Sequence, residues 1–205
     1  MSDENPPAFL RLFIAVPVPT EVRAQIERAQ SQWRRSLPPG SVRWGKPEQF
    51  HVTLKFLGDQ LAANLAELQH AVSAVAKTVS PFPLAAAGLG CFPNAHRPRV
   101  MWVGVQDPDN RLVELHRKIS LATRPFEPAD QSERFVGHIT LGRFKPGNPA
   151  AQKTFQKQLG KIPLKTYGIW TADRLAIIRC ELLADGVRHS ALAECPFGEE
   201  TMKPF

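Results

Sequence analysis

Apolar positions along this chain follow two spacings in turn, every second residue and every third or fourth. Leu10–Val16 (LRLFIAV) is a β-rich run closed by Pro17. Thr20 is placed to cap the helix that follows, where Val22, Ile26, Ala29 and Trp33 recur at helical spacing. A loop at Ser36–Ser41 leads to a short strand, Val42–Trp44, and a longer one, Phe50–Leu57, with a turn expected at Gly58-Asp59. Leu61, Leu65, Leu68, Val72, Val75 and Val79 form the apolar stripe of a second helix, stopped by Pro81 and Pro83. Leu84–Cys91 and Arg99–Val105 read as strands, and Leu112, Leu115, Ile119 and Ala122 as a helix. After an irregular stretch, Thr123–Arg134, come a strand at Gly137–Phe144, a short helix at Ala150–Leu159, and strands at Thr166–Thr171, Arg174–Leu183 and Val187–Ala193. A turn at Ala184-Asp185-Gly186 joins the last two. Strands and helices mix without strict βαβ regularity, which predicts an α+β fold. The spacing shows no linker long enough to divide residues 1–205, so one domain is expected, with residues 1–8 disordered.

Composition narrows the functional classes. At 205 residues and 43% hydrophobic content the chain is long enough for a sizeable core. The longest apolar run, Leu12 to Val18, is broken by Pro17 and far short of the roughly 20 residues a bilayer needs. Met1 to Ala8 has no basic segment of the kind that opens a secretory leader. Three cysteines, Cys91, Cys180 and Cys195, lack metal-type spacing and fit reduced thiols. These features predict a cytoplasmic protein without a membrane span. The net charge of +7 suggests an anionic partner, yet Lys and Arg are scattered, with no run of four.

One tetrapeptide pattern occurs twice: His51-Val52-Thr53-Leu54 and His138-Ile139-Thr140-Leu141. Each sits on a predicted strand, where alternation sends His and Thr to one face and the intervening apolar residue and Leu to the other. Two such strands converging from the two halves of the chain would floor a groove with two imidazoles and two hydroxyls. That set suits a phosphate diester. Imidazole gives or takes a proton near neutrality, and hydroxyls donate to nonbridging oxygens. Arg143 lies five residues past His138, on the opposite side by simple alternation, unless a bulge near Gly142 turns it back. A zinc site lacks support, with no His-x-His, no His-x-x-x-His and no acid within either motif. His70, His96, His116 and His189 show no pattern and read as solvated or structural.

The paired His-x-Thr-Leu motifs, the opening Arg11-Leu12-Phe13-Ile14-Ala15, the Leu54-Lys55-Phe56-Leu57-Gly58 after the first motif, and Arg99-Val100-Met101-Trp102-Val103-Gly104 carry a resemblance. From Leu10 to Phe197 the chain resembles the two-histidine phosphoesterases, and among them the RNA 2′,3′-cyclic phosphodiesterase family, historically called 2′–5′ RNA ligases. The resemblance implies a bilobal α+β fold of duplicated, pseudo-twofold halves, with two antiparallel-rich sheets facing a central cleft. It implies a monomer that hydrolyses RNA-terminal or nucleoside 2′,3′-cyclic phosphates to 2′-phosphates, with no metal and no cofactor. His51 would be the proton donor, His138 the proton acceptor, Thr53, Thr140 and Arg143 the phosphate contacts, and Phe13 a contact to the base. RNA ends or 2′,3′-cyclic nucleotides would be its partners, and 2′–5′ ligation the reverse reaction. The alternative is an RNA-binding module using the same basic cleft without catalysis. Gly137 departs from the family, which commonly has proline before the second histidine.

Overall fold

The structure is a computed structural model that describes residues 8–126, 135–159, 165–184 and 186–198. Residues 1–7 and 127–134, where disorder and an irregular stretch were expected, lie outside the described residues. Among the described residues nine strands and four α-helices follow in the order β1 (Phe9–Pro17), α1 (Thr20–Ser36), β2 (Val42–Trp44), β3 (His51–Leu61), α2 (Leu65–Ala76), β4 (Phe82–Phe92), β5 (Val100–Gln106), α3 (Arg111–Ala122), β6 (His138–Phe144), α4 (Pro149–Leu159), β7 (Thr166–Ala172), β8 (Arg174–Leu183) and β9 (Gly186–Pro196). They build two antiparallel sheets, one in the order β3-β1-β8-β9 and the other β2-β6-β5-β4-β7. The expected α+β class with two antiparallel sheets is the one observed.

The halves are interlocked. β1 and β3 of the first half sit in the four-stranded sheet, where β8 from the second half completes them. β5 and β6 sit in the five-stranded sheet, where β4 from the first half takes the matching place. The helices cross over too. α1 packs on β7 of the five-stranded sheet, with Trp33 against Phe155 of α4, while α3 packs on β3. α2 lies behind β8 and β9. Leu12, Ile14 and Val16 point into this helix-covered layer, and Phe13 and Ala15 to the other face, as alternation along β1 requires.

Three local expectations are corrected. Thr20 is the first helical residue rather than the cap, which is Pro19 with no side-chain bond; the Thr20 hydroxyl instead accepts from Arg23. β3 does not turn at Gly58-Asp59 but runs on to Leu61. Gly58, at φ 69°, lets the strand kink and continue its pairing with β1. Leu61 therefore belongs to β3, and a 3-10 turn at Ala62–Asn64 leads into α2.

One buried polar side chain ties a helix to the second motif. Gln30 of α1 is 1% exposed, and its amide donates to the carbonyls of Gly45 and Leu141 at 2.8 and 2.9 Å. Gln30→Leu leaves these acceptors one partner short, so urea unfolding should show a loss of about 1–3 kcal/mol. Gln25→Leu on the exposed side of the same helix should change stability by no more than about 0.5 kcal/mol.

Candidate active site

Each motif histidine is held by the carbonyl two residues before it. His51 Nδ1 lies 2.6 Å from the Gln49 carbonyl and His138 Nδ1 2.8 Å from that of Val136. A carbonyl only accepts, so in both neutral rings Nδ1 carries the proton and Nε2 presents a lone pair. His51 Nε2 accepts from the Thr53 hydroxyl at 3.0 Å. Both rings and both threonines are half-buried, while Val52, Leu54, Ile139 and Leu141 behind them are buried. β3 and β6 approach each other where the sheets meet, so the two motifs share one cleft.

A bulge resets the alternation in each strand. In β6, Thr140 pairs with Trp102 and Gly142 with Met101, leaving Leu141 as the extra residue. Leu141 and Gly142 are consecutively buried, and Arg143 emerges on the face of His138 and Thr140. In β3 the same shift leaves Leu54 unpaired between Thr53 and Lys55, and Phe56 emerges where Arg143 does in the other half. Phe56 is 57% exposed, whereas Phe13 is 2% exposed and lies beneath it, with ring centroids 5.8 Å apart. This departs from the expectation that Phe13 meets a base, because Phe13 has almost no surface to offer. At position 137 an added Cβ would come within 2.9 Å of Leu112, so Leu112 fills the room that a side chain there would need.

The sequence reading missed His189. It comes from β9, at the far edge of the sheet from β3, yet its ring centroid is 5.4 Å from His51 and 5.1 Å from Phe13. The four-stranded sheet thus curls enough to bring these rings together, and the side chain of Gln49, just before β3, bonds the Val187 carbonyl of β9 at 2.7 Å. On the other side, Phe92 and Trp102 flank His138 at 4.9 and 6.1 Å. His70 and His96 are exposed, and His116 stacks on Phe135. Among the described residues no group of three or more His, Cys, Asp or Glu side chains is placed to hold a metal, and no helix is long and apolar enough to cross a membrane.

A LigT-like phosphoesterase model matches residues 16–102. An RNA 2′,3′-cyclic phosphodiesterase of Aquifex aeolicus is 31% identical over 76% of this chain and 82% of its own length. The chain belongs to the LigT-like phosphoesterase family. The family model ends before the second motif, but a Thermus thermophilus RNA 2′,3′-cyclic phosphodiesterase, 30% identical over 89% of this chain and 88% of its own, is matched over a span that takes in both. A solved structure from Thermus thermophilus superposes with a TM-score of 0.77 and 27% identity, covering 93% of this chain and all of the other. E. coli LigT, solved in complex with 3′-AMP, shares the fold at a TM-score of 0.72 and 21% identity over 93% of this chain and 99% of its own.

The LigT-like cleft keeps its histidines neutral. Burial lowers the His51 pKa to about 4, against the pull of the Gln49 carbonyl, and the charge that His189 or His138 would carry lowers it further. His138 is lowered by burial first and then by the Arg143 guanidinium beside it, with the Val136 carbonyl opposing, and burial lowers His189 as well. Between about pH 6.5 and 4 the unfolded chain therefore binds protons at these positions that the folded chain refuses. Stability should be full above pH 6.5 and fall as pH drops toward 4. Urea midpoints measured across this range should show the fall, and His51→Gln should flatten it.

Proposed function

We propose that this chain is an RNA 2′,3′-cyclic phosphodiesterase that opens terminal 2′,3′-cyclic phosphates to 2′-phosphates with an imidazole pair and no metal. The observation that carries this reading is the matched anchoring of His51 and His138, each with Nδ1 tied to a carbonyl and a lone pair on Nε2. The names of the curated relatives support the same substrate class.

In the proposed reaction His138 Nε2 takes a proton from water as the water oxygen bonds to phosphorus. The bond from phosphorus to O3′ breaks, and His51 gives its proton to that oxygen, leaving a free 3′-hydroxyl and a 2′-phosphate. Arg143 suits the base half of this division, since its charge keeps His138 unprotonated. His51 is neutral in the free cleft and must arrive at the step protonated. An anionic phosphodiester beside it favours the imidazolium. Once protonated, His51 no longer accepts from Thr53, and that hydroxyl is released to donate to a phosphoryl oxygen. Thr140 and Arg143 reach the same group from the other half, where negative charge is carried in the transition state. Phe56 offers the exposed ring nearest the site for the base. With an RNA 5′-hydroxyl replacing water as the nucleophile, the same ring opening makes a 2′–5′ linkage: His138 takes the hydroxyl proton as O5′ bonds to phosphorus, the bond to O3′ breaks, and His51 protonates O3′.

Incubation with adenosine 2′,3′-cyclic phosphate in excess chelator should yield adenosine 2′-phosphate, and turnover restored only by added metal would overturn the reading. His51→Ala or His138→Ala should each lower kcat by about 10²–10⁴-fold with unchanged circular dichroism. Catalysis needs the singly protonated pair, and both histidines titrate below their ordinary value. The kcat/KM profile should therefore be a bell whose two limbs, belonging to the pair, both lie on the acid side of 6.5.

A further inference from the structure

Beyond the two motif histidines, the cleft wall carries a third imidazole whose hydrogen bonding is incomplete. His189 Nδ1 is buried and has no hydrogen-bond partner among the described residues. Buried N–H groups without an acceptor are rarer than acceptors without a donor. The favoured neutral tautomer of His189 therefore leaves the lone pair on Nδ1 and puts the proton on Nε2. This is the reverse of His51 and His138, whose Nδ1 protons are committed to carbonyls. The cleft thus contains two acceptor nitrogens and one donor nitrogen, all from neutral rings.

His189 packs edge-on against both Phe13 and His51, at 71° and 68° between ring planes. A single oxygen about 2.9 Å from each of two nitrogens spans a gap of up to about 5.8 Å between them, and the His51 and His189 ring centroids are 5.4 Å apart. The bond from Gln49 to the Val187 carbonyl holds this part of β9 against the residue that also orients His51. The strand that carries His189 and the turn that aims His51 are therefore tied directly to each other.

We propose that His189 is a substrate-contacting residue, its Nε2–H donating to a phosphoryl oxygen that His51 also reaches. The proposal rests on the phosphodiesterase reading for the identity of the ligand, and it adds a donor that neither motif contains. It assigns His189 to binding: it neither gives nor takes the reacting protons, and it supplies an N–H donor where a neutral His51 has none to spare. Glutamine places its amide nitrogen near the position of Nε2, whereas asparagine is too short, reaching only the level of Nδ1.

The experiment compares wild type, His189→Ala, His189→Gln and His189→Asn by calorimetric binding of inorganic phosphate and adenosine 2′-phosphate, and by turnover of adenosine 2′,3′-cyclic phosphate. Imidazole ¹⁵N spectra of the wild type accompany both. The alanine and asparagine variants should bind both phosphates at least tenfold more weakly and show a raised KM with kcat changed less. The glutamine variant should stay within about threefold of wild type. His189 should appear as the Nε2–H tautomer, with its Nε2 signal moving on addition of phosphate. Equal phosphate affinity across all four proteins, or an unmoved His189 signal, would overturn the proposal. A purely structural histidine would make glutamine and asparagine equally harmful and leave the spectrum unchanged by ligand. If wild type binds phosphate through His189 but does not turn over the cyclic nucleotide, the reaction reading fails and this contact stands; turnover that ignores His189 sinks the contact alone.

Discussion

A hydrogen bond from imidazole to the main-chain carbonyl two residues upstream is the constraint from which the rest of the cleft follows. It settles which nitrogen of each motif histidine carries a proton, and it leaves the other to accept, in His51 from the Thr53 hydroxyl. Without that anchor an imidazole on a strand would sample both ring flips, and a paired presentation would last only part of the time. Both halves use the same device, although the surroundings differ. Gln49 ends a 3-10 turn at Pro47–Gln49, whereas Val136 lies in extended chain before β6. The device is therefore local, requiring only a carbonyl turned back toward the ring that follows.

Electrostatics and packing act in the same direction on these rings. Phe13 on one side and Phe92 with Trp102 on the other exclude water from the imidazoles, and the loss of solvent disfavours the charged form of each. Arg143 adds a permanent positive charge to one half only, its counterpart in the other half being the uncharged Phe56. An almost symmetric scaffold is thereby given unequal ends, one cationic and one aromatic. A nucleotide is itself divided in this way, between a phosphate and a base.

Legibility in the sequence tracked the range of the interaction. Strand alternation is decided by nearest neighbours, so the shared facing of His51 with Thr53 and of His138 with Thr140 was readable directly. Arg143 was half readable: alternation alone sends it away, and only the extra residue at Leu141 brings it back. Phe13 entered only as what the resemblance implies, and nothing local in the sequence tells that Phe56 packs over it. His189 was not readable at all. Its approach to His51 depends on the curl of a whole sheet and on a bond from Gln49, in the turn before β3, to Val187 of β9, far apart in the chain. Gln30 escaped notice for a similar reason, since its acceptors lie on two other segments.

The exchange of strands between the halves bears on how the molecule comes into being. Ile14 of β1 must wait for Ile177 of β8, so the sheet beneath the first motif stays unfinished until β8 has left the ribosome. Nascent chains that carry only the first histidine have no completed platform to hold it. A product truncated before β8 would then lack a working half as well as a working whole.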